Sequence, residues 1–297
     1  MEEKRVQILM STYNGERFLR EQIESLLHQS WKNLEILIRD DGSNDRTPDI
    51  LQEYGAKYKQ VKIFLEDNLG VSQSFFTLLA KSDADYVAFC DQDDIWLEEK
   101  IETAVRKLER EQGPALYCSN KILVDSKGNL MAKQDRRKRI PGFGNAVVEC
   151  ICTGCTTVMN RKMAEIIKDK LPDHAILHDW WCYLAAAYVG KVIFDEQAYI
   201  KYRQHEKNVV GARAGFWAEV RAKAAYLRKS RGKLEAQLTD FARFYQGNGR
   251  KDVLVQEILG AKRLSGRIKL LWNRKIYRQS RLDGIIMRIL FLSGRML

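Results

Sequence analysis

A chain of 297 residues can hold one large α/β domain with an appendage or two modest domains. Its 45% hydrophobic and 10% aromatic content belongs to a globular protein, and 19 glycines and 4 prolines without a simple tract or internal repeat exclude wholesale disorder and solenoids. The net charge of +11 is unevenly placed: from residue 201 onward 23 Lys and Arg stand against 7 Asp and Glu, whereas residues 1–200 are slightly acidic. A nucleic-acid surface, a face for anionic lipid or a lipid-linked anionic substrate, and plain solvated helix faces all accommodate that basic third.

Val6 to Met10 is a short apolar run that ends at a polar turn, Ser11-Thr12-Tyr13-Asn14-Gly15. Phe18, Leu19, Ile23, Leu26 and Leu27 then recur at helical spacing, which predicts an amphipathic helix over 16–29. Leu34 to Ile38 is a second strand, running into Arg39-Asp40-Asp41-Gly42-Ser43. Thr47-Pro48 reads as an N-cap followed by proline at the first helical position of a helix to about Tyr58. Val61–Leu65 is a strand, Val71–Ala80 a helix, and Tyr86–Phe89 a fourth strand that delivers the chain to Asp91. Strands alternating with helices through short polar links imply a mostly parallel sheet covered on both faces, with ligands beyond the carboxyl ends of its strands. Three acidic or hydroxyl-rich turns fall at that edge: 11–14, 40–43 and 91–94.

Past residue 115 the pattern loosens. Leu116–Ser119 and 121–130 suggest a strand and a hairpin turning at Lys127-Gly128-Asn129, followed by a basic loop, 133–139. A helix begins near Asp179, and strands are expected at Lys191–Phe194 and Ala198–Arg203. Beyond Gly211 the sequence reads as basic amphipathic helices, so a boundary is placed there: 1–211 as one α/β domain and 212–297 as a helical extension. The cysteines at 150, 152 and 155 lack a second pair at zinc spacing and read as buried thiols. No secretory leader pattern opens the chain, so a reducing cytoplasm is expected. The most apolar stretch, Ile285–Leu292, contains Arg288 and falls far short of the ~20 residues a spanning helix needs.

Asp91-Gln92-Asp93-Asp94 carries the most chemistry. Three carboxylates in four residues repel one another, and a hard cation such as Mn²⁺ or Mg²⁺ relieves that while neutralising a leaving diphosphate. A cap for the following helix is the simpler alternative for a lone acidic triplet; its place at a strand's carboxyl end beside two other polar turns favours the metal. Asp40-Asp41-Gly42-Ser43 suits either a base or ribose contact or an Asx-turn.

The three segments Ile8–Glu16, Ile38–Asp45 and Asp91-Gln-Asp-Asp-Ile-Trp96, in this order, resemble an inverting family-2 glycosyltransferase of GT-A fold. With Asn68-Leu-Gly-Val-Ser72 ahead of the last, they are similar to bacterial rhamnosyltransferases, and the resemblance spans roughly 4–211. It implies that Ser11, Tyr13 and Asp41 hold base and ribose, and that Asp93 binds the metal with Asp91 beside it or at the ribose. It further implies Asp179, in His178-Asp179-Trp180-Trp181, as the general base. His205 would complete the metal shell, and Arg203 or Lys207 would pair with phosphate oxygens. Residues 154–157 would border the acceptor or equally allow tight strand packing, and Trp180 or Trp181 either stacks on sugar or fills the core.

The implied partners are a nucleotide-diphospho-sugar donor, with dTDP-L-rhamnose the first choice, and a saccharide or lipid-linked acceptor. No nucleic acid is expected, and homo-oligomer formation is left open. The apolar stripe at Leu264, Ile268, Leu271 and Trp272, repeated at 285–291 amid Arg and Lys, suits a helix lying on the inner face of the plasma membrane or one packed on protein. Two rival classes stand beside this reading. A nucleotidyltransferase would carry a basic Gly-rich loop after the first strand, which Ser11–Glu16 is not; a basic nucleic-acid-binding protein would carry a recognised motif, and none is present.

Overall fold

The computed structural model describes residues 4–131, 138–204, 232–245, 247, 249–294 and 296. Eight strands form one sheet in the order β3-β2-β1-β4-β7-β6-β8-β5, where β1 is Val6–Thr12, β2 Leu34–Asp41, β3 Val61–Glu66, β4 Tyr86–Cys90, β5 Ile95–Trp96, β6 Ala115–Val124, β7 Val158–Asn160 and β8 Lys191–Arg203. Helices α1 (Leu19–Leu27), α2 (Thr47–Lys57) and α3 (Val71–Lys81) connect the first four strands, which pair with one another in parallel. Antiparallel β7 then joins β4 to β6, and β8 lies parallel to β6. The expected mostly parallel α/β sheet is therefore observed, with antiparallel insertions that no local periodicity encodes.

Alternation along β1 explains why its sequence is continuously apolar. Val6, Ile8 and Met10 join Leu19, Ile23, Ile50 and Leu51 in one apolar cluster, while Leu9 joins Phe75, Phe76, Phe89 and Trp181 on the opposite face. A strand with both faces covered must be apolar throughout. Helices α4 (Lys100–Leu108), α6 (Arg161–Lys168) and α7 (His178–Val189) complete the two layers, with short α5 (Phe143–Ala146) beside α7.

Several boundaries move from their predicted places for identifiable reasons. The first helix starts at Leu19 because Gly15–Phe18 form a turn whose amides reach the second loop: Gly15 N–H donates to Thr47 Oγ1 at 2.9 Å. That contact also corrects the reading of Thr47 as a cap. Arg46 precedes the helix instead, and the Thr47 hydroxyl serves the neighbouring loop. Strand β6 is single and β8 is continuous, because register shifts at Ser119/Asn120 and Asn120/Ile122 absorb the polar residues that looked like breaks. The 127–129 turn is present, held by Asp125 Oδ1, which accepts from the amides of Lys127 at 2.8 Å and Asn129 at 2.9 Å.

Four further helices follow: α8 (Lys233–Phe244), α9 (Arg250–Leu259), α10 (Leu264–Trp272) and α11 (Arg281–Leu292). The boundary expected at 211 lies outside the described residues. Leu238, Phe241, Leu270, Met287 and Phe291 share the apolar cluster of α3 and α7, with the Trp181 ring edge-on to Phe241 at 5.7 Å. The link between α10 and α11 also seats on α5, where a Cβ at Gly144 would stand 1.8 Å from the Lys275 carbonyl oxygen. Gly144→Ala is accordingly expected to cost about 2–3 kcal/mol, read as a lower urea midpoint, because a backbone atom must give way. An unchanged midpoint would show that this link is not seated.

Candidate active site

Strand order reverses at β1, with β2 on one side and β4 on the other, and in open α/β sheets ligands bind beyond the carboxyl ends of the strands at such a point. The three polar turns meet there and are stitched together by hydrogen bonds. The amide of Asn14, the one non-glycine among the described residues with left-handed backbone (φ 47°), donates to Ser43 Oγ at 2.8 Å, and Asn14 Oδ1 accepts from the Asn44 amide at 2.8 Å. Tyr13 bonds the third turn through its backbone, donating to Gln92 Oε1 at 2.8 Å and accepting from Gln92 Nε2 at 3.1 Å. Gln92, the one neutral residue of the acidic quartet, therefore clasps the first loop. Its role went unread in the sequence.

Of the residues expected at base and ribose, Tyr13 is exposed at the rim and Ser11 is half-buried, its hydroxyl donating to Ser74 Oγ at 2.7 Å. Asp41 is buried and already engaged. Its oxygens accept from the amides of Leu69 and Gly70, each at 2.8 Å, and its partner ion is Arg39. As the loops stand, Asp41 ties the second turn to the segment before α3. Asp40 does similar work, accepting from Thr12 Oγ1 at 2.9 Å and from the Ser43 amide at 2.8 Å.

The acidic quartet divides by burial. Asp91 and Asp93 are half-buried, whereas Asp94 is fully enclosed, with Oδ1 accepting from the Arg203 amide at 3.0 Å and Oδ2 lacking a hydrogen-bond partner. Ligand atoms of Asp91, Asp94 and Cys155 lie within 4.8 Å of one another. Burial, then the charges of Asp93 and Asp179, lift the Asp91 carboxyl to about 7. Asp94 is lifted too, by burial and then by Asp91 and Asp93. Carboxylates crowded to this degree, with one buried oxygen orphaned, form a donor set that a hard divalent cation fits. Cys155 is a poor ligand for such an ion: burial holds its thiol protonated, and thiolate is soft.

Asp179 stands in the first turn of α7, tied to the segment that carries Cys155. Its Oδ2 accepts from the Gly154 amide at 2.8 Å, its buried Oδ1 has no partner, and burial raises its carboxyl to about 6. Gly154 is required for this approach, since a Cβ there would meet His178 Nε2 at 2.8 Å. His178 itself stacks on Phe75 at 4.0 Å, and burial drives its imidazole down to about 3, so it sits neutral as packing. Trp181 is core, and Trp180 is half-buried with its indole N–H on the Ala146 carbonyl at 2.7 Å.

Two lysines complete the electrostatics without any signal in the local sequence. Lys121, on β6, donates to Thr153 Oγ1 at 3.2 Å and lies over the Tyr202 ring at 3.9 Å, where its charge offsets a small part of the rise that burial imposes on Asp91 and Asp179. Lys100 is buried at the start of α4, its ammonium 3.3 Å from the Trp96 ring centroid, and desolvation lowers it to about 8.

His205 and Lys207 lie outside the described residues. Arg203, expected to pair with phosphate, is instead turned inward: only 2% exposed, it donates from Nε to the Asp93 carbonyl at 2.8 Å, from Nη1 to the Ser126 carbonyl at 3.1 Å and from Nη2 to Glu21 at 2.6 Å. One planar fork thus holds the acidic loop against α1 and the 125–129 turn. Arg203→Lys cannot reach three partners and is expected to lose about 3 kcal/mol of stability, seen in urea unfolding. A midpoint equal to that of the parent would return Arg203 to a ligand role.

The sequence profile described as glycosyl transferase family 2 matches residues 7–167. A protein of Shigella flexneri named dTDP-rhamnosyl transferase RfbG is 32% identical over 250 residues, covering 78% of this chain and 85% of its own length. The putative teichuronic acid biosynthesis glycosyltransferase TuaG of Bacillus subtilis is 30% identical over 155 residues, covering 52% of this chain and 61% of its own. Among solved structures, TarS residues 1–349 of S. aureus in complex with UDP-GlcNAc superposes with a TM-score of 0.62 at 16% identity, covering 96% of this chain and 76% of that one. The mannosyltransferase PcManGT of Pyrobaculum calidifontis, in complex with GDP-Man and Mn²⁺, gives 0.60 at 13% identity, covering 99% and 86%. With its sheet order, its stitched loops and these relatives, the chain belongs to glycosyl transferase family 2 and is a glycosyltransferase of GT-A fold, similar to a bacterial rhamnosyltransferase.

Proposed function

We propose that the protein transfers L-rhamnose from dTDP-L-rhamnose, with inversion and with help from Mn²⁺ or Mg²⁺, to a saccharide or lipid-linked acceptor during cell-surface polysaccharide assembly on the cytoplasmic side of the membrane. The observation that carries the chemistry is the cluster itself: ligand atoms of Asp91, Asp94 and Cys155 lie within 4.8 Å of one another, and the amide of Gly154, next to Cys155 in the chain, donates to Asp179 Oδ2 at 2.8 Å. Tyr13 at the rim, with Ser11 and Asp41 behind it, would border the base and ribose; Asp91 and Asp93 would hold the cation, with His205 as a further ligand. A bound cation neutralises the charge that develops on the departing diphosphate.

Asp179 then has the base's work. An acceptor hydroxyl oxygen attacks the anomeric carbon from the face opposite the diphosphate, its C–O bond forms as the sugar–phosphate bond breaks, and its proton passes to Asp179. A single displacement inverts the centre and needs no enzyme nucleophile. Asp179 suits the role because Oδ1 has no protein partner while Oδ2 is fixed by Gly154. The rhamnosyl donor is supported by the Shigella flexneri relative, whose name carries that activity. Release of nucleoside diphosphate from a panel of nucleotide sugars, with Mn²⁺ or Mg²⁺ and a rhamnan or lipid-diphosphate saccharide acceptor, tests it. Turnover of another sugar nucleotide with dTDP-rhamnose inert would overturn the donor, and a retained anomeric configuration in the product would overturn the single displacement.

A further inference from the structure

Helices α10 and α11 form an antiparallel hairpin. Arg288 of α11 donates to the carbonyls of Leu270 and Leu271 at the end of α10, and Gly294, just past α11, abuts the Arg267 guanidinium near its start. Each helix buries one side in the core through Leu270, Met287 and Phe291. The opposite sides carry apolar residues in open solvent. On α10 these are Leu264, Ile268 and Trp272, one turn apart, with Trp272 81% exposed; on α11 they are Leu282, Ile285, Ile289 and Leu292. Seven exposed apolar side chains on the outer sides of two packed helices mark a contact surface.

Charge selects the occupant. From 262 to 292 the chain holds nine Lys and Arg and one acidic residue, Asp283. Lys262 and Lys269 are paired with Glu235 and Glu257, but Arg263, Arg274, Lys275 and Arg281 stand exposed around the apolar stripes. Apolar side chains that sink into an acyl boundary while a basic rim meets phosphate headgroups are what an anionic bilayer requires. A second copy of this chain would bring the same positive charge to the same face and repel it. We infer that the α10–α11 hairpin docks the enzyme on an anionic lipid surface.

The hairpin is also joined to the pocket. Its connecting segment clamps the residues before and within α5: Gln279 exchanges two hydrogen bonds with Ile140, at 3.0 and 2.9 Å, its amide donates to Glu149 at 2.8 Å, and Asn145 Nδ2 donates to the Tyr277 carbonyl at 3.2 Å. That clamped stretch runs on to Thr153 and Gly154, which touch Lys121 and Asp179. Docking therefore fixes the acceptor side of the pocket relative to the bilayer, where a lipid-linked saccharide would arrive. The inference does not depend on the choice of donor, because lipid binding needs no nucleotide sugar.

Flotation of the full chain with vesicles of phosphatidylglycerol and phosphatidylcholine in equal parts, against phosphatidylcholine alone, tests it. The parent should float with the first, less so in high salt, and not with the second. Trp272→Ser/Ile285→Ser/Ile289→Ser, all at exposed positions, should weaken flotation about tenfold or more while keeping the parent's melting temperature and its turnover on a water-soluble acceptor. Failure of the parent to float, equal flotation by the triple variant, or a dimer in light scattering that the triple variant dissolves would each overturn the proposal.

Discussion

Asp179→Asn is expected to lower kcat by about 10³-fold with donor KM nearly unchanged, and at the same time to make the protein harder to unfold. The two effects share one cause. Burial raises the Asp179 carboxyl to about 6, above its value in an unfolded chain, so the folded state holds the proton more tightly. Stability from this group is present below the unfolded value near 4 and declines as pH rises through about 6, leaving a deficit on the order of 2 kcal/mol at neutral pH. Asparagine keeps an oxygen for the Gly154 amide and carries no charge, so that deficit disappears along with the base. In the parent, kcat/KM should fall as pH drops through about 6, since only the ionised carboxylate accepts the acceptor's proton. A variant with full turnover, or one that melts well below the parent, would remove Asp179 from this role.

The strand–helix alternation through Cys90 was legible because each element there is long, periodic and ended by a polar turn, and the turns of a parallel sheet must gather at one edge. The convergence of 11–14, 40–43 and 91–94 followed from that rule alone. Which side chain does what at that edge was much less legible. Nothing in the local pattern distinguishes an arginine aimed at phosphate from Arg203, which braces three segments from inside, because its partners Glu21 and Ser126 lie far away in sequence. Lys100 reads as an ordinary helix-start residue, yet it is enclosed beneath the acidic loop against Trp96. Strands β6 and β8 looked interrupted for a related reason: bulges tolerate polar residues that a regular ladder would not, and a bulge depends on the partner strand.

Asp93→Ala should cost about 10³-fold in turnover, and chelation of the parent should cost at least as much, with activity returned by Mn²⁺ or Mg²⁺. The argument rests on how the quartet is built. The charge of Asp93 raises both Asp91 and Asp94, so removing it relieves repulsion and should leave the melting temperature equal or higher. A structural residue would behave oppositely, losing stability along with activity. Manganese binding, followed by the loss of free-ion electron paramagnetic resonance signal in the presence of dTDP, gives a readout that does not pass through turnover, and it should weaken in Asp93→Ala. Asp94→Asn offers the contrast: its Oδ1 holds the Arg203 amide from full burial while Oδ2 faces the cluster, so it should disturb how the loop is held together with the ion and lower the melting temperature where Asp93→Ala does not. Undiminished turnover after chelation and dialysis would mean that the crowded carboxylates relieve their repulsion by keeping a proton, with Asp91 raised to about 7 as the group best placed to do so.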